Sequence, residues 1–384
     1  MPLSSKLPHI GTTIFTVMSR MAAEEGAINL SQGYPGFGAD PLLLDLVGKY
    51  TREGYNQYAP MAGIPQLRKV LAEKTKLTQG YFPDPELEVT IVSGATEAIF
   101  SAVTAIVRSG DEVLVLEPAY DSYEPAITLN GGTPVYVPLR ASDFSVDWEK
   151  VSAAISSKTR AILVNSPHNP SGYVWTEGDL EQLAALVRNR DIYVVSDEVY
   201  EHITFDGIRH ISLGAHPELK SKTFVCGSFG KTFHVTGWKI GYCIAPENLT
   251  AEFRKVHQYV TFSTVTPIQY ALAEYLIHPD RYLSIPGFYE RKRDVFVKGL
   301  EKTGLHFSPS QGSFFQLASY GHLSQVSDRV LAERMTRELK VACIPTSVFY
   351  SDKRDDKIIR FCFAKEEAEL QEALRRLGGL GSIL

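Results

Sequence analysis

The 384-residue sequence predicts an α/β protein whose larger part is built on a mainly parallel β-sheet. Between about residues 89 and 245, short apolar runs rich in β-branched residues alternate with longer segments of helical spacing, such as Glu177–Arg190. Continuous apolar runs are typical of strands that are buried on both faces of such a sheet. After about residue 285 the alternation weakens. This change predicts a second, smaller α+β domain.

Six runs are the predicted strands of the main sheet: Val89–Val92, Glu112–Leu116, Ala161–Val164, Ile192–Val195, Thr223–Cys226 and Ile240–Ile244. In the smaller domain we predict strands at Phe314–Leu317 and Ile358–Phe363, and helices at Tyr289–Leu300, Ser327–Leu339 and Glu366–Leu377. The Gly- and Pro-containing segment Gly33–Gly38 is expected to pack against that domain. We therefore place the large domain at residues 44–284 and the small domain at residues 1–43 together with 285–384.

Composition excludes several classes of function. The formal net charge is −5 and no long Lys/Arg run is present, which argues against a nucleic-acid partner. No apolar stretch approaches the ~20 residues needed to span a bilayer, and the N-terminal residues do not resemble a secretory signal. The four cysteines lie singly in apolar runs without a Cys-x-x-Cys pair, which is typical of reduced core thiols. A cytoplasmic location is the simplest interpretation.

The segment that follows the first predicted strand is a candidate anion site. Val89–Val92 leads into Ser93-Gly94-Ala95-Thr96-Glu97, which opens a helix. Gly94 allows a close turn, and the free N–H groups of Ala95 and Thr96 would then face outward at the positive end of the helix, where phosphate or carboxylate is favoured. An ordinary helix start, with Ser93 as the N-cap and Glu97 near the capping-box position, explains the same residues.

Polar residues also follow the next strands, at the edge of the sheet where ligands bind in open α/β folds. The strand ending at Val164 leads into a loop fixed by prolines that carries Asn165 and Asn169, although turns use the same residue types. Asp197 ends the strand Ile192–Val195 as a carboxylate that needs a partner if it is buried. That partner could be a cationic ring nitrogen or a structural arginine.

Lys231 is the candidate nucleophile. It follows another strand in Gly227-Ser228-Phe229-Gly230-Lys231, where small neighbours would let a cofactor aldehyde approach. Low dielectric and nearby cations would lower the pKa of this amine and make it nucleophilic. The glycine spacing does not match a phosphate-binding P-loop. Each of these motifs alone is weak evidence for a cofactor site. Together in one chain, and in this order, they are strong evidence for one.

Taken together, these segments resemble the class I/II aminotransferases, which are fold-type I enzymes dependent on pyridoxal 5′-phosphate (PLP). The resemblance is strongest to the branch that contains methionine aminotransferases and kynurenine aminotransferases (glutamine transaminase K). It covers essentially the whole chain and implies a seven-stranded, mainly parallel sheet sandwiched by helices. The matching segments are Asn29–Gly33, Asn56–Tyr58, Gly94–Ala98, Glu117–Tyr123, Asn169–Pro170, Asp197–Tyr200, Ser228–Lys231 and Ile359–Phe363.

The resemblance implies roles for residues around the cofactor ring. Lys231 would hold PLP as a Schiff base and then move the proton in catalysis. Asp197 would pair with the pyridinium nitrogen. Tyr200 and Asn169 would hydrogen-bond the phenolic oxygen, and Tyr120 would stack on the ring.

The resemblance also implies a phosphate site made of Ser228, Lys239 and the amides of Ala95 and Thr96. Tyr58 would reach this phosphate from a neighbouring subunit, which predicts a homodimer. Many relatives carry Arg where this chain has Lys239, and Lys binds phosphate as a point charge without the planar fork.

For the substrate, the resemblance implies that Arg360 clamps the α-carboxylate, helped by Asn169 and the Gly33 backbone. The loop Tyr259–Gln269, placed near the substrate side chain, has no basic residue, which argues against dicarboxylic substrates. Candidate pocket residues are apolar or aromatic: Ile14, Phe15, Tyr34, Tyr58 and Phe262. Simple core packing is the alternative interpretation of each.

Methionine is therefore the favoured amino donor, with a 2-oxo acid as acceptor in a ping-pong mechanism. Kynurenine is an alternative substrate, although Ser263 stands where the kynurenine enzymes carry His. A PLP-dependent cysteine-conjugate β-lyase remains open, since no residue separates elimination from transamination. A ligand-sensing domain and a metal enzyme built on Asp197, Glu198, Glu201 and His202 are further alternatives. That residue order matches no familiar metal-ligand spacing, so we predict no metal.

Overall fold

The computed structural model describes residues 4–384 of the chain. Its central sheet has seven strands in the spatial order β2-β8-β7-β6-β5-β3-β4. Only β8 is antiparallel to its neighbours β2 and β7, and the remaining pairs are parallel. The strands are β2 (Val89–Val92), β3 (Glu112–Glu117), β4 (Thr133–Pro138), β5 (Thr159–Asn165), β6 (Tyr193–Asp197), β7 (Thr223–Ser228) and β8 (Gly241–Ile244). The predicted α/β fold is confirmed.

The strand β4 was not among the runs predicted as strands from the residue pattern. It contains Pro134 and Pro138, which lower the expectation of a strand because proline cannot donate to the ladder. Since β4 lies at the edge of the sheet and pairs only with β3, these missing donors are tolerated. The other strand predictions match to within a few residues.

Helices cover both faces of the sheet. Those that precede residue 285 are α1 (Ile14–Glu24), α2 (Pro41–Arg52), α3 (Pro65–Gln79), α4 (Ala95–Ile106), α5 (Tyr123–Leu129), α6 (Trp148–Ala154), α7 (Glu177–Val187), α8 (Phe229–Thr232), α9 (Glu247–Val260), α10 (Thr266–Tyr275) and α11 (Asp280–Leu283). The helices α4, α5 and α9 share one apolar cluster with the sheet, and α6 and α7 share another. A third cluster joins α2, α3 and α10 to β2 and β8.

The C-terminal part forms a separate layer around a three-stranded antiparallel sheet of β11 (Ile344–Pro345), β12 (Ile358–Cys362) and β9 (Phe315–Ser319). The short strands β1 (Ile28–Asn29) and β10 (Val341–Ala342) pair in parallel. The helices here are α12 (Ile285–Leu300), α13 (Asp328–Arg334) and α14 (Glu367–Leu377). The helix predicted at Ser327–Leu339 is therefore shorter, since a π-helical turn forms its second half.

The N-terminal segment contacts this layer. The amide of Gly36 donates to the carbonyl of Ala364 at 2.8 Å, and the ring of Phe37 lies 5.1 Å from that of Phe288. The division into residues 44–284 and the remainder stays a prediction. Within residues 4–384, no helix has the length and apolar character required to cross a membrane.

Parallel strands bring their carboxyl ends to one edge of the sheet. The register aligns Asn165 at the end of β5 with Asp197 at the end of β6, and Asp197 with Cys226 near the end of β7. The polar residues that follow these strands therefore meet in space.

Candidate active site

A cavity of about 290 Å³ opens at this edge of the sheet. Most of the residues singled out in the sequence line it: Phe15, Gly33, Ala95, Thr96, Tyr120, Asn169, Asp197, Tyr200, Ser228, Lys231, Lys239 and Arg360. Both sheets contribute residues to the cavity. Asp197 ends β6 of the seven-stranded sheet, and Arg360 lies on β12 of the three-stranded sheet. The cavity thus collects acid, amine, guanidinium and backbone N–H groups in one place.

The side chain of Lys231 enters the cavity from α8, which begins directly after β7. Its Nζ donates to the carbonyl of Gly33 at 2.7 Å and lies 5.6 Å from the ring centre of Tyr200. Removal from water lowers the pKa of this amine to about 8, and the positive charge of Arg360 acts in the same direction. A substantial fraction is therefore neutral and nucleophilic near neutral pH.

The carboxylate of Asp197 ends β6 and is only 5% exposed. Its Oδ2 accepts a hydrogen bond from the hydroxyl of Tyr123 at 2.7 Å, and its Oδ1 accepts one from the amide of Val199 at 3.3 Å. Burial raises the pKa of Asp197 to about 6, although both hydrogen bonds oppose this rise. No cation forms an ion pair with this carboxylate in the part of the chain that the structure describes. A structural arginine, the alternative partner considered for this carboxylate, is not found there, and a cationic ligand group would fit.

Sequence reasoning assigned a role to Tyr120 but missed Tyr123. The Tyr120 ring lines the cavity and lies 5.8 Å from that of Tyr123, whose side chain is buried at the first residue of α5. A tyrosine hydroxyl that is buried needs a hydrogen-bond partner. The signal that could have found Tyr123 is its position at the start of a helix that lies opposite the end of β6.

The start of α4 forms the anion-binding end of the cavity. The helix begins at Ala95 after Gly94, whose φ is +79°, and no side chain caps it. The expected cap by the Ser93 side chain is therefore wrong. Among residues 4–384, neither the Ala95 nor the Thr96 amide donates to a protein acceptor. These free donors point to an anionic ligand.

Two further groups complete this end. Lys239 adopts a left-handed backbone with φ +51°, and its Nζ would lie 3.5 Å from a Cβ on Gly94. A Cβ on Gly241 would lie 3.1 Å from the Ala95 amide nitrogen, so glycine keeps this amide accessible. Ser228 supplies a hydroxyl that already accepts from the Gly230 amide at 3.2 Å. Such a set of donors would suit a phosphate group.

The two asparagines of the loop after β5 have different roles in the structure. Asn165 is structural, since its side chain donates to the carbonyl of Asp197 at 2.8 Å and accepts from the amide of Asn169 at 2.7 Å. Asn169 faces the cavity, and its Oδ1 accepts from Nη1 of Arg360 at 2.8 Å. The loop is therefore held to β6 through Asn165 and to β12 through the hydrogen bond between Asn169 and Arg360.

The guanidinium of Arg360 is 1% exposed. It donates to Asn169 and, at 3.0 Å, to the carbonyl of Ser31, and its carbon lies 3.9 Å from the ring centre of Phe315. Its buried Nε has no hydrogen-bond partner, and burial lowers the pKa of Arg360 to about 10. No carboxylate within residues 4–384 pairs with it. A buried guanidinium of this kind fits a carboxylate ligand.

Four of the predicted pocket residues do not line this cavity. Tyr58 is 83% exposed and Phe262 is 39% exposed, and their rings meet edge to face at 5.1 Å on the surface. Ile14 and Tyr34 also lie outside the cavity lining. Of the apolar pocket candidates, only Phe15 belongs to the site of its own chain; its ring lies 5.3 Å from the Arg360 guanidinium carbon.

The acids after Asp197 serve the scaffold. Glu198 accepts hydrogen bonds from Ser196 and the Leu213 amide and lies 2.8 Å from Nε2 of His210, and Glu201 pairs with Lys74 at 2.7 Å. In residues 4–384, no group of three or more His, Cys, Asp or Glu side chains is arranged to hold a metal ion.

Comparison with known proteins identifies the class to which this fold and site belong. Residues 25–377 match the family described as aminotransferase class I and II. The chain belongs to this family of aminotransferases, which depends on PLP. The predicted family and enzyme class are confirmed.

Two proteins of known function and one solved structure show which members of the family this chain is similar to. The chain is 47% identical over 374 residues to methionine aminotransferase from Escherichia coli (strain K12), covering 97% of each chain. It is 34% identical to kynurenine–oxoglutarate transaminase 1 of Mus musculus, covering 94% of this chain and 93% of that one. The crystal structure of YbdL from Escherichia coli, for which a methionine aminotransferase function is identified, superposes with a TM-score of 0.96 at 46% identity, covering 98% of this chain and 99% of that chain.

Proposed function

We propose that this aminotransferase uses PLP to move the amino group of methionine, and of other apolar or aromatic amino acids, to a 2-oxo acid. The observation that carries the proposal is the placement of Lys231 and Arg360 in one cavity, where the amine has a lowered pKa and the buried guanidinium lacks an anionic partner. An amine and a carboxylate receptor at one site are what an α-amino acid requires. The 47% identity to a methionine aminotransferase supports the substrate.

The residues present fit PLP. The free amides of Ala95 and Thr96, the hydroxyl of Ser228 and the ammonium of Lys239 would hold the phosphate. At the other end, the buried carboxylate of Asp197 lacks a cation, and a protonated ring nitrogen supplies one. Tyr120, Asn169 and Tyr200 line the space between these ends. When bound, PLP supplies an aldehyde that condenses with amines and a ring that withdraws electrons.

Lys231 is proposed as the residue that holds the cofactor and moves the proton. With a pKa of about 8, its Nζ would take a proton from the substrate α-carbon and deliver it to the cofactor side, rather than back to the same carbon. The carbonyl of Gly33, at 2.7 Å, orients the amine. Asp197 holds the proton of the ring nitrogen, and Tyr123 orients the Asp197 carboxylate.

Arg360 is proposed to bind the substrate α-carboxylate. Its guanidinium is already aimed by Asn169 and Ser31, while Nε remains without a partner. A fixed fork that binds a carboxylate through two parallel hydrogen bonds positions the α-carbon as well as binding it. The rings of Phe15 and Phe315 against the guanidinium exclude water from this contact.

The cavity favours an apolar substrate side chain. Its charged lining residues are Asp197, Lys231, Lys239 and Arg360, and each has one of the roles above. Among residues 4–384, no further cation lines the cavity to pair with a side-chain carboxylate. Methionine is therefore favoured over aspartate or glutamate, and kynurenine is a weaker alternative given Ser263 and the lower identity to a kynurenine enzyme.

We further propose a homodimer with shared active sites. Tyr58 and Phe262 form an aromatic pair on the surface, away from the cavity of their own chain. An exposed aromatic pair is typical of an interface. In this arrangement Tyr58 reaches the phosphate, and Phe262 the substrate side chain, of a second copy. In this proposal the large domain, residues 44–284, would hold the cofactor. The small domain, residues 1–43 with 285–384, would contribute Gly33 and Arg360 to the active site.

The test is a donor and acceptor screen on purified protein with added PLP. Methionine with a panel of 2-oxo acids should give a new amino acid and the 2-oxo acid derived from methionine. The Lys231→Ala variant should give neither. Failure of every apolar donor in the wild type would contradict the proposal. Release of pyruvate and a thiol from a cysteine conjugate at a higher rate would favour the β-lyase alternative.

A further inference from the structure

Behind the anion-binding end of the cavity lies a buried acid–imidazole pair that does not itself line the cavity. Glu97 is in the first turn of α4, and His257 is in the last turn of α9. Nδ1 of His257 lies 2.9 Å from Oε1 of Glu97, and the side chains are 0% and 8% exposed respectively. Because both side chains are buried, the groups that they contact show which parts of the backbone the pair holds in place.

The carboxylate of Glu97 holds the turn that presents the free amides. Its Oε2 accepts from the backbone amide of Ser93 at 2.8 Å, which fixes the residue before Gly94. Its Oε1 accepts from the hydroxyl of Ser101 at 2.9 Å as well as from His257. With three donors on one carboxylate, Glu97 has one conformation. The direction in which the Ala95 and Thr96 amides point is set by this turn.

The imidazole of His257 reaches a second segment. Its Nε2 lies 2.9 Å from the carbonyl of Met61, three residues after Tyr58. Both ring nitrogens therefore face oxygen acceptors, an arrangement that the ring satisfies fully when both nitrogens donate. His257 thus ties the loop that bears the exposed Tyr58 to the start of α4.

We propose that Glu97 and His257 are positioning residues for phosphate recognition, an inference that rests on the proposed use of PLP. Through Ser93 they fix the amides of the chain's own phosphate site. Through Met61 they fix the loop whose tyrosine serves the second copy. Neither side chain lines the cavity. Their effect is therefore confined to ligands that carry a phosphate.

The experiment compares two ligands of the apoenzyme: PLP and pyridoxal, which lacks the phosphate. Dissociation constants are measured by absorbance and by quenching of protein fluorescence, so no turnover is needed. Glu97→Gln and His257→Leu should each weaken PLP binding by about tenfold, as expected for losing hydrogen bonds to a charged group. The affinity for pyridoxal should stay within twofold of wild type. Glu252→Gln, an exposed residue of α9, is the matched control and should change neither constant.

A conservative variant separates positioning from mere support of the fold. In His257→Asn, the amide nitrogen can take the place of Nδ1 and keep the contact to Glu97 while losing that to Met61. We expect a smaller loss of PLP affinity than in His257→Leu, and this variant keeps the test open if the leucine variant does not fold. Equal losses of PLP and pyridoxal affinity, unchanged PLP affinity in Glu97→Gln, or no rescue by asparagine would each overturn the inference. If wild-type protein bound no PLP, the proposed function would fail instead.

Discussion

The hydroxyl of Tyr123 lies 2.7 Å from Oδ2 of Asp197; both side chains are buried, and Asp197 lines the cavity. The hydrogen bond favours the ionised carboxylate, because a tyrosine hydroxyl donates to it. Burial acts in the opposite direction and raises the pKa of Asp197 to about 6. The tyrosine therefore helps keep Asp197 negative at neutral pH, as is needed to hold a cationic ring nitrogen.

The first prediction concerns Tyr123→Phe. Without the hydroxyl, the pKa of Asp197 rises further, because a contribution that lowered it is lost. Since the ionised carboxylate is the active form, the acid limb of the kcat/KM profile should move to higher pH, and activity at neutral pH should fall by about tenfold. Tyr173→Phe is the control, since that hydroxyl bonds Asp179 away from the cavity. An unchanged acid limb would contradict the role of Tyr123.

The second prediction concerns Lys231→Ala. Loss of the Lys231 amine, which enters the cavity from α8, should reduce turnover by a factor of about a thousand or more, the scale expected when a general base is removed. The variant should still fold and bind PLP through the phosphate donors. Borohydride reduction followed by peptide mass spectrometry should place the pyridoxyl group on Lys231 in wild type and nowhere in the variant. Labelling of another lysine in wild type would refute the assignment.

The third prediction concerns Arg360→Lys. Lysine keeps the charge but loses the fork that contacts Asn169 and Ser31. The KM for the amino acid should rise by about ten- to a hundredfold, corresponding to about 1.5–3 kcal/mol for hydrogen bonds to a charged group. Affinity for PLP should be unaffected. Arg188→Lys, in an exposed pair with Glu218, should behave as wild type. A change confined to kcat would argue against carboxylate binding.

Much of the site could be predicted from sequence because several of its residues end or directly follow strands of the central sheet. Asn165, Asp197 and Ser228 end parallel strands, so the chain order alone brings them together. The edge strand β4 was missed because its prolines hide the strand pattern. The Glu97–His257 pair joins residues 160 positions apart through packing of α9 on α4. Local patterns carry no information about such a contact.

The last prediction tests whether active sites are shared between two copies. If Tyr58 serves a neighbouring chain, Tyr58→Ala and Lys231→Ala damage different components of each site. A mixed dimer then has one site with an intact Lys231 from the first variant and an intact Tyr58 from the second. Random exchange makes half of the dimers mixed, each with one of two sites intact, so mixing the two weak variants should restore about a quarter of wild-type activity.

The control for this experiment mixes Lys231→Ala with Arg360→Ala. By the geometry of the cavity, these two residues belong to the site of one chain. A mixed dimer then has one site without Lys231 and one without Arg360, so activity should not recover beyond the two variants alone. No recovery when Lys231→Ala is mixed with Tyr58→Ala would show that Tyr58 does not serve the site of a second copy, and the exposed pair that it forms with Phe262 would need another partner.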